Sequence, residues 1–537
     1  MQGMVVCPQP RAADAGAAVL ARGGSAFDAA LATAFAQMIA DPFMCGVGGM
    51  GTLQAYSARD GEHTMLDFHA TAGSGVTPDM WTQDMRGRTE VSGYTLFDDC
   101  RSELGYTAIM TPGTVAGFGA FHRRFGTLPW AELLQPAIAM AREGLEVTPF
   151  FAEFLSRPML PGVPGGMARV SASAPCRAIY LDAQGELHRV GELLCNPDYA
   201  RTLEVLAEQG PECFYRGELG ERIAADLAAG GAFVSAEDLA SYAPVGCAPV
   251  RGRYRGHEIA SNPPPGSGVT LIQMLHILEH FDLASLQHGS AAHLDLVARA
   301  MAAAHCDRER WLADPAFAQV PVDTMLSPER AAMWAARIRG GELPPGAKPQ
   351  PPSCTTHLCV ADAQGNVVSC THTLGTGSGV VTQGLGFVYN NSMKLFDPVP
   401  GRPNSMAPGK ARTTGMVPTL VLRDGRPVLA AGAPGGSVII SAVLQSIINV
   451  LDFGMSPVEA VTMPRIHCES GPIHAEARMP DAVKRELEAM GHTVRRSVLS
   501  FDPVMSRAHL LALERDDAGL RFRGGADPRA GGGVAAA

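Results

Sequence analysis

The sequence predicts a layered α+β fold, because the period of its apolar residues changes twice along the chain. Near the N-terminus, GVGGMGTLQAY and TMLDFHA alternate as strands do. From about residue 111 to residue 347 the pattern is mainly helical, and after residue 354 a period of two returns. This order of strands, helices and strands, without internal repeats, is typical of sheets covered by segregated helices.

The first long helix is predicted after Gly23-Gly24, where Ser25 can cap it and Asp28 has the position of a capping-box acid. Its sequence, AALATAFAQMIA, is apolar almost all round, which indicates burial on more than one side. The glycine-rich loop Gly46–Gly51 follows it. The glycines of this loop could also be interpreted as a dinucleotide-binding fingerprint. That fingerprint needs a strand before it and a helix after it, whereas here a helix precedes the loop and a strand follows it.

Amphipathic stretches fill the helical middle of the chain: PWAELLQPAIAMAREG, NPDYARTLEVLAEQG, ELGERIAADLAAGG, VTLIQMLHILEHF and AAHLDLVARAMAAAHCDRERWL. Residues 343–353, LPPGAKPQPPS, are the best linker candidate. After them, THLCVADAQGNVVSCTHTL, VPTLVLRDGRPVLAAG and RAHLLALERDDAGLRFRGGADPR each predict a β-hairpin. Between the last two hairpins, SVIISAVLQSIINVLDFG predicts a helix that opens directly after glycines.

Composition narrows the class of partner. The chain has 537 residues, 46% hydrophobic and 18% charged, with a formal net charge of -10, so a small molecule is expected rather than nucleic acid or an anionic membrane. No apolar run is long enough to span a bilayer, and the start, MQGMVVCPQPRAADAG, lacks the regions of a signal peptide, which predicts a cytoplasmic protein. The twelve cysteines form no CxxC pair, so no metal site is predicted.

Three further features converge on one family. A proline-rich segment is followed by Cys354-Thr355-Thr356-His357 at the start of a strand, and Pro434-Gly435-Gly436-Ser437 precedes a helix. Together with GGSAFDAALATAFA, GVGGMG, TPGTVAGF, CDRERWLADP, GAPGGSVI and the terminal GADPR, this chain resembles the γ-glutamyltransferase family over nearly its whole length. The resemblance implies a four-layer αββα sandwich of the N-terminal nucleophile hydrolase type.

The resemblance also implies a precursor that cleaves itself between Cys354 and Thr355. Residues 1–354 then form a large subunit and residues 355–537 a small one, intertwined as one structural domain. The cleavage needs no other catalytic residue in this scheme. The Thr355 hydroxyl attacks the Cys354 carbonyl to form an ester, and hydrolysis of that ester frees an α-amine on the same residue that carries the nucleophile. That amine has a reference pKa of about 7.7 to 8.0 and can act as the base without metal or organic cofactor.

The resemblance also implies two more catalytic elements in this chain. Thr373 matches the second threonine, whose hydroxyl bonds the nucleophile, and one hairpin can bring it beside Thr355. Gly435 and Gly436 match the glycines whose N–H groups form the oxyanion hole, at the positive end of the following helix. His357 is interpreted as a structural residue, since the α-amine makes a histidine base unnecessary.

The positions that hold a γ-glutamyl head group depart from the family. Where the family has an arginine that binds the α-carboxylate, this chain has His69. Where the family has an asparagine two residues after the second threonine, this chain has Gly375, and where it has an acidic residue that binds the substrate amine, this chain has Leu395. The two serines before the MxPT segment are Thr414 and Gly415. The interpretation is retained acyl chemistry with altered acyl specificity, as in β-lactam side-chain acylases and small-amide hydrolases such as oxamate amidohydrolase.

Several alternatives stay open at this point. Arg101 or Arg412 is a candidate replacement for the lost carboxylate contact, although each is expected to be a solvated surface charge. A shortened loop, LFDPVPGRPNSMAPGKARTTG, weakly favours hydrolysis over transpeptidation. A non-catalytic binding or scaffold protein that keeps the fold is the alternative function. The oligomeric state, including a homo-oligomer, is left open.

Overall fold

A computed structural model describes residues 2–88, 95–159, 163–345, 354–469, 471–517 and 519–537. Most of the predicted linker at 343–353 lies outside the described residues. The strands are β1 Gly3–Cys7, β2 Met50–Ser57, β3 Glu62–Phe68, β4 Gly87–Arg88, β5 Thr95–Leu96, β6 Leu145–Glu146, β7 Leu193–Leu194, β8 Val245–Cys247, β9 Val250–Tyr254, β10 His257–Ser261, β11 Cys354–Asp362, β12 Val367–Gly375, β13 Thr419–Arg423, β14 Arg426–Gly432, β15 Ile466–His467, β16 Ile473–Ala475, β17 Val494–Arg496, β18 His509–Asp516, β19 Gly519–Ala526 and β20 Gly533–Ala536.

The α-helices cover the two faces of the molecule. They are α1 Pro10–Ala21, α2 Ala26–Ala40, α3 Thr114–Phe125, α4 Trp130–Glu143, α5 Pro149–Ser156, α6 Gly166–Val170, α7 Ala174–Tyr180, α8 Pro197–Gln209, α9 Glu218–Ala229, α10 Ala236–Ser241, α11 Gly268–Leu278, α12 Ala291–Trp311, α13 Val322–Met325, α14 Pro328–Arg339, α15 Val438–Leu451, α16 Pro457–Thr462 and α17 Asp481–Ala489. The predicted capping box at the start of α2 is confirmed, with Ser25 and Asp28 bonded reciprocally.

Two large antiparallel sheets form the centre. The first has seven strands in the order β20-β1-β11-β12-β2-β3-β8, and the second has six in the order β19-β18-β14-β13-β10-β9. Strands from before and after the Cys354–Thr355 bond therefore stand side by side in both sheets. In the first sheet, for example, Val5 of β1 pairs with Val360 of β11.

Three apolar cores separate four layers, which confirms the predicted αββα sandwich. One core lies between α2 with its neighbouring helices and the first sheet, and it includes Phe35 and Leu358. A second lies between the two sheets and includes Cys359 and Leu420. The third packs α11, α12 and α15 against the second sheet. Because Leu358 and Cys359 are consecutive residues of β11, the period of two directs them into different cores.

The middle region, predicted as mainly helical, also contains a segment of strands that the sequence pattern does not reveal. The five amphipathic stretches form α4, α8, α9, α11 and α12, as expected. Residues 245–261, however, form β8, β9 and β10, and the β9–β10 hairpin pairs with β13 at one side of the second sheet. Strand β9, VRGRY, is short and strongly charged, so it lacks the apolar alternation that reveals a half-buried strand.

The glycine-rich loop supports packing rather than dinucleotide binding. Helix α2 precedes it and β2 follows it, as the sequence predicts. A Cβ atom on Gly49 lies 2.5 Å from the Thr373 carbonyl oxygen, and one on Gly51 lies 2.5 Å from that of Thr371. Side chains at these positions would collide with β12, so the glycines allow β2 to approach the strand that carries Thr373.

Candidate active site

Thr355 and Thr373 meet at the ends of two neighbouring strands. The β11–β12 register shifts between Cys354 and Thr356, which places Thr355 in a bulge. Bulges re-aim a side chain locally. The Thr355 Oγ1 atom donates to Thr373 Oγ1 at 3.2 Å, as the sequence predicts for a hydroxyl pair across one hairpin. Both residues are 2% exposed, so the pair is shielded from bulk water.

Backbone contacts hold this pair on both sides. The Gly375 N–H donates to Thr373 Oγ1 at 2.8 Å, which orients the second hydroxyl. The Arg507 guanidinium, itself buried, donates through Nη2 to the Thr355 carbonyl oxygen at 3.0 Å. Sequence reasoning missed Arg507, because nothing local in MSRAHLL marks it and 152 residues separate it from its partner.

The predicted oxyanion glycines form a turn before α15. Gly435 has a φ of 137° and Gly436 a φ of 71°, conformations that residues with a side chain rarely adopt. Among the hydrogen bonds of the described residues, neither of their backbone N–H groups has an acceptor. Two unpaired donors at the start of a helix suit an anionic oxygen.

A small cavity joins these parts. Its lining combines the hydroxyl pair, the glycine turn, apolar side chains and one guanidinium: Thr355, Thr373, Leu395, Arg412, Thr414, Gly415, Met416, Gly436, Ser437 and Ile439. The structure thus brings together six residues from the sequence-based site, including Leu395. Gly435, Gly375 and His69 are not among the described residues that line this cavity.

Two of the family departures have a steric explanation. A Cβ atom at Gly375 lies 2.2 Å from Asn391 Oδ1, so Asn391 fills the space that a side chain at position 375 would need. Asn391 Oδ1 accepts from the Thr376 N–H at 2.8 Å, which anchors it there. A Cβ atom at Gly415 lies 2.0 Å from the Gly436 carbonyl oxygen. The segment before Met416 therefore packs directly on the glycine turn, and serine would not fit.

His69 is buried but faces a different set of partners. Its Nδ1 bonds Asp67 Oδ1, its backbone N–H donates to the same oxygen at 2.8 Å, and its carbonyl oxygen accepts from the Tyr242 hydroxyl at 2.8 Å. Its Nε2 has no hydrogen-bond partner among the described residues. This position therefore offers the cavity no contact of the kind that the family's arginine supplies.

The expectation for Arg412 is wrong, and that for Arg101 is correct. Arg101 is partly exposed and pairs with Asp84 and Asp99 at the surface. Arg412 is only 2% exposed and lines the cavity beside Thr355. The position of Arg412 two residues before Thr414 could have indicated that it lies near the site. Its polarity alone, however, predicts exposure to solvent.

Arg412 lies close to a second buried guanidinium group, that of Arg308. Burial and the neighbouring Arg308 guanidinium lower the pKa of Arg412 to about 9, which leaves it charged at neutral pH. Arg308 is also buried and donates through Nε to Ser267 Oγ at 2.9 Å. Burial opposes ionisation of Glu469, but His305, His467 and Arg308 together lower its pKa to about 2.

His357, interpreted from the sequence as a structural residue, is not among the described residues that line the cavity. It is fully buried; its Nδ1 lies 2.8 Å from Thr371 Oγ1 and its Nε2 lies 3.2 Å from Cys359 Sγ. Burial holds the pKa of His357 well below its usual value. A Cβ atom at Gly432 would lie 2.1 Å from the His357 ring, so the imidazole fills the space between the two sheets.

Comparison with known proteins decides the family. Residues 12–537 match the family model described as Gamma-glutamyltranspeptidase. The chain belongs to the γ-glutamyltranspeptidase family. A relative within it, Acylase ACY 1 proenzyme of Pseudomonas sp. (strain V22), is 39% identical over 513 residues, which cover 92% of this chain and 88% of that protein. Glutathione hydrolase proenzyme of Escherichia coli (strain K12) is 34% identical over 520 residues, covering 92% and 86%.

Solved structures place the fold in the same γ-glutamyltranspeptidase family. Cephalosporin acylase from Bacillus halodurans superposes with a TM-score of 0.87 at 28% identity, covering 100% of this chain and 96% of that one. The Helicobacter pylori γ-glutamyltranspeptidase chain gives a TM-score of 0.55 at 32% identity, covering 61% and 89%. The predicted family and fold are confirmed. The chain is an amidohydrolase or acyltransferase of this family, and the scaffold alternative is not favoured.

Two absences hold for the part of the chain that the structure describes. Within it, no group of three or more His, Cys, Asp and Glu side chains is arranged to hold a metal ion. No helix in those same ranges combines the length and apolar character required to cross a bilayer.

Proposed function

We propose that this enzyme matures by cleavage of the Cys354–Thr355 bond and then hydrolyses or transfers an acyl group through an ester on Thr355. In the precursor, the Thr355 hydroxyl attacks the Cys354 carbonyl carbon, the C–N bond breaks, and the chain passes to the hydroxyl as an ester. Water cleaves that ester, leaving a carboxylate on Cys354 and a free α-amine on Thr355. Residues 1–354 and 355–537 stay associated because strands of both segments pair with one another within each of the two sheets.

The mature site contains the groups for each step of amide cleavage. The α-amine of Thr355 takes the hydroxyl proton, and Oγ1 attacks the substrate carbonyl. The N–H groups of Gly435 and Gly436 hold the resulting oxyanion, and the protonated amine gives its proton to the leaving nitrogen. Water or an amine then accepts the acyl group from Thr355. No step needs a metal or an organic cofactor.

One observation carries this proposal: the Thr355–Thr373 hydroxyl pair, 3.2 Å apart, shares a buried cavity with Gly436 of the glycine turn. A nucleophile, the hydroxyl that orients it and an oxyanion donor are thus within one small space. This is the arrangement that acyl transfer requires.

The acyl specificity that we propose differs from γ-glutamyl. The cavity has Leu395 where the family holds the substrate amine, and neither His69 nor Gly375 contributes to its lining. The similarity to an acylase at 39% identity and to a cephalosporin acylase structure supports a small-molecule amide with another acyl group. A cytoplasmic location remains a prediction from the sequence.

Intact-mass measurement with N-terminal sequencing tests the maturation step. After incubation near pH 8, the wild-type protein is expected to give two fragments, one beginning Thr-Thr-His-Leu. Thr355→Ala is expected to stay as a single chain and to lose amide-cleaving activity, because the attacking hydroxyl is gone. Loss of the nucleophile in a hydrolase of this kind costs more than about 10⁴-fold in rate.

Thr356→Ser is the matched control for this substitution. Thr356 is the adjacent buried threonine, and its hydroxyl bonds Gln9 and Gln37 outside the cavity lining. It is expected to be cleaved normally. Cleavage of Thr355→Ala at the same bond, or full activity in that uncleaved variant, would contradict the proposal.

A further inference from the structure

A second cavity, the outer cavity, lies in the helical layer that covers the second sheet. Its volume is about 390 Å³, which is within the range of small-molecule sites. The start of α12, the later turns of α15, the segment around β15 and the start of α17 form its walls. It shares no described lining residue with the nucleophile cavity. Along α15, Ile439 of the nucleophile cavity and Asn449 of the outer cavity are about 15 Å apart, at roughly 1.5 Å per residue.

His293 presents an unused hydrogen-bond donor at the outer cavity. The residue lines the cavity and is 2% exposed. Its Nδ1 accepts from the Gly289 N–H at 3.1 Å, so the proton of the neutral imidazole is on Nε2. Burial and the neighbouring His288 lower the pKa of His293 to about 4, which keeps the ring neutral at neutral pH. The Nε2–H group has no acceptor within the described ranges, and an unsatisfied buried donor is costly.

Arg465 provides a second donor together with a positive charge. Its side chain is buried at the cavity wall, and burial lowers its pKa only to about 10, so it is charged at neutral pH. Nη1 pairs with Asp527 and donates to the Ser506 carbonyl oxygen, and Nη2 donates to the Val461 carbonyl oxygen. Nε has no acceptor in the part of the chain that the structure describes. The guanidinium is therefore held in place with one N–H group unused.

The remaining wall favours an anion joined to an apolar body. Gly289 and Ser290 bring the start of α12 to the cavity, and the N-terminus of this 21-residue helix carries a partial positive charge. Glu486 is the one carboxylate among the described lining residues, and it is exposed. The other guanidinium of the lining, that of Arg478, is paired with Glu476. The apolar part of the lining consists of Leu294, Met463, Pro464, Met479, Pro480 and Val483.

We infer that the outer cavity binds a small apolar carboxylate, whose oxygens accept from His293 Nε2 and Arg465 Nε and whose apolar body packs on the methionines and prolines. A carboxylate accepts hydrogen bonds and donates none, which suits two unused N–H groups. Its charge is also stabilised by the guanidinium and by the helix N-terminus. This site is separate from the acyl chemistry at Thr355 and does not depend on it.

Isothermal titration calorimetry of the processed enzyme tests this inference, with phenylbutyrate as the probe. The neutral amide of the same shape, phenylbutyramide, is expected to bind about 10- to 100-fold more weakly, the range for one hydrogen bond to a charged group. His293→Phe keeps a ring at this position but removes the Nε2 donor, and it is expected to weaken phenylbutyrate binding at least about tenfold. Equal affinity for the acid and the amide would overturn the inference.

Val483→Trp is a second variant that leaves both donors in place. Val483 is a partly exposed residue of α17, and a tryptophan there fills the cavity from its outer side. It is expected to abolish binding, which keeps the test decisive if His293→Phe fails to fold. The matched control is His280→Phe, because His280 is exposed and is not among the described lining residues. This control is expected to bind phenylbutyrate as the wild type does.

Two results would remove the site. Unchanged binding in Val483→Trp would place the probe elsewhere, and no heat from either phenylbutyrate or octanoate would mean that the cavity holds water only. Because calorimetry measures binding without turnover, the outcome is distinct from that of the proposed function. Probe binding by an enzyme that cleaves no amide would leave the outer cavity as a ligand site, whereas amide cleavage without probe binding would leave only the proposed function.

Discussion

The two ends of the cavity differ in how far apart in the sequence their residues lie. At the nucleophile end, Thr355 and Thr373 are 18 residues apart and belong to one hairpin, and Gly435-Gly436 form a single turn. At the recognition end, Leu395 is the last residue of a short 3-10 helix, and Arg412 and Thr414 lie in an irregular segment. Arg308 approaches Arg412 from the distant helix α12. The first end depends on local structure, and the second depends on tertiary packing.

This difference explains why the two ends diverge from the family to different degrees. By the resemblance in sequence, the hydroxyl pair and the glycine turn keep the residues that the family uses. The recognition end replaces them and rearranges its packing, with Asn391 in the space beside Gly375 and Gly415 against the Gly436 carbonyl oxygen. We infer that an enzyme of this fold can change its acyl specificity while the strands that carry Thr355 and Thr373 stay the same.

Apart from the loss of Thr355, the substitution Gly436→Ala is expected to reduce kcat more than any other single change at the nucleophile end. Adding a side chain at a φ of 71° displaces the turn and its oxyanion donor. The expected loss in kcat is about 100- to 1000-fold, as for removal of one oxyanion donor. Gly454→Ala is the control, because Gly454 has a φ of 66° in an open turn. It is expected to lose stability alone, and an equal loss of kcat in both variants would contradict the assignment.

The next effect concerns the electrostatics of the recognition end. The folded protein lowers the pKa of Glu469 to about 2, so this group stabilises the fold above its ordinary pKa of 4.5. That stability is lost as pH falls from 4.5 toward 2.

Urea denaturation of wild type and Glu469→Gln at several pH values measures this contribution. The difference in unfolding free energy is expected to be greatest at neutral pH and to shrink through that acid window. A difference that does not change with pH would show that Glu469 acts by packing alone.

A smaller effect is expected at Thr373. Thr373→Val keeps the shape of the side chain but removes the hydroxyl that accepts from Thr355 and from the Gly375 N–H. The expected loss in kcat is about tenfold, the cost of one neutral hydrogen bond. Thr373→Ser restores the hydroxyl and is expected to recover most of the rate in single-turnover assays. No recovery with serine would point to packing as the role of Thr373.

The sequence was sufficient for the layers, the hairpins and the contact between Thr355 and Thr373, since periodicity and turn residues report local structure. It was insufficient for the β9–β10 hairpin, whose charged residues conceal the strand pattern. It was also insufficient for Arg412, because burial of a cation depends on segments that are distant in the sequence. The contact of Arg507 with Thr355 has the same character and has no local signature.

The proposal that Thr355 forms an acyl ester is tested most directly by finding the atom that carries the acyl group. The processed enzyme is mixed with an activated acyl ester, quenched with acid, and digested for tandem mass spectrometry. An added acyl mass is expected on Thr355, at the N-terminus of the fragment that begins Thr-Thr-His-Leu. An acyl group on another side chain, or turnover with no adduct on Thr355 at any time point, would contradict it.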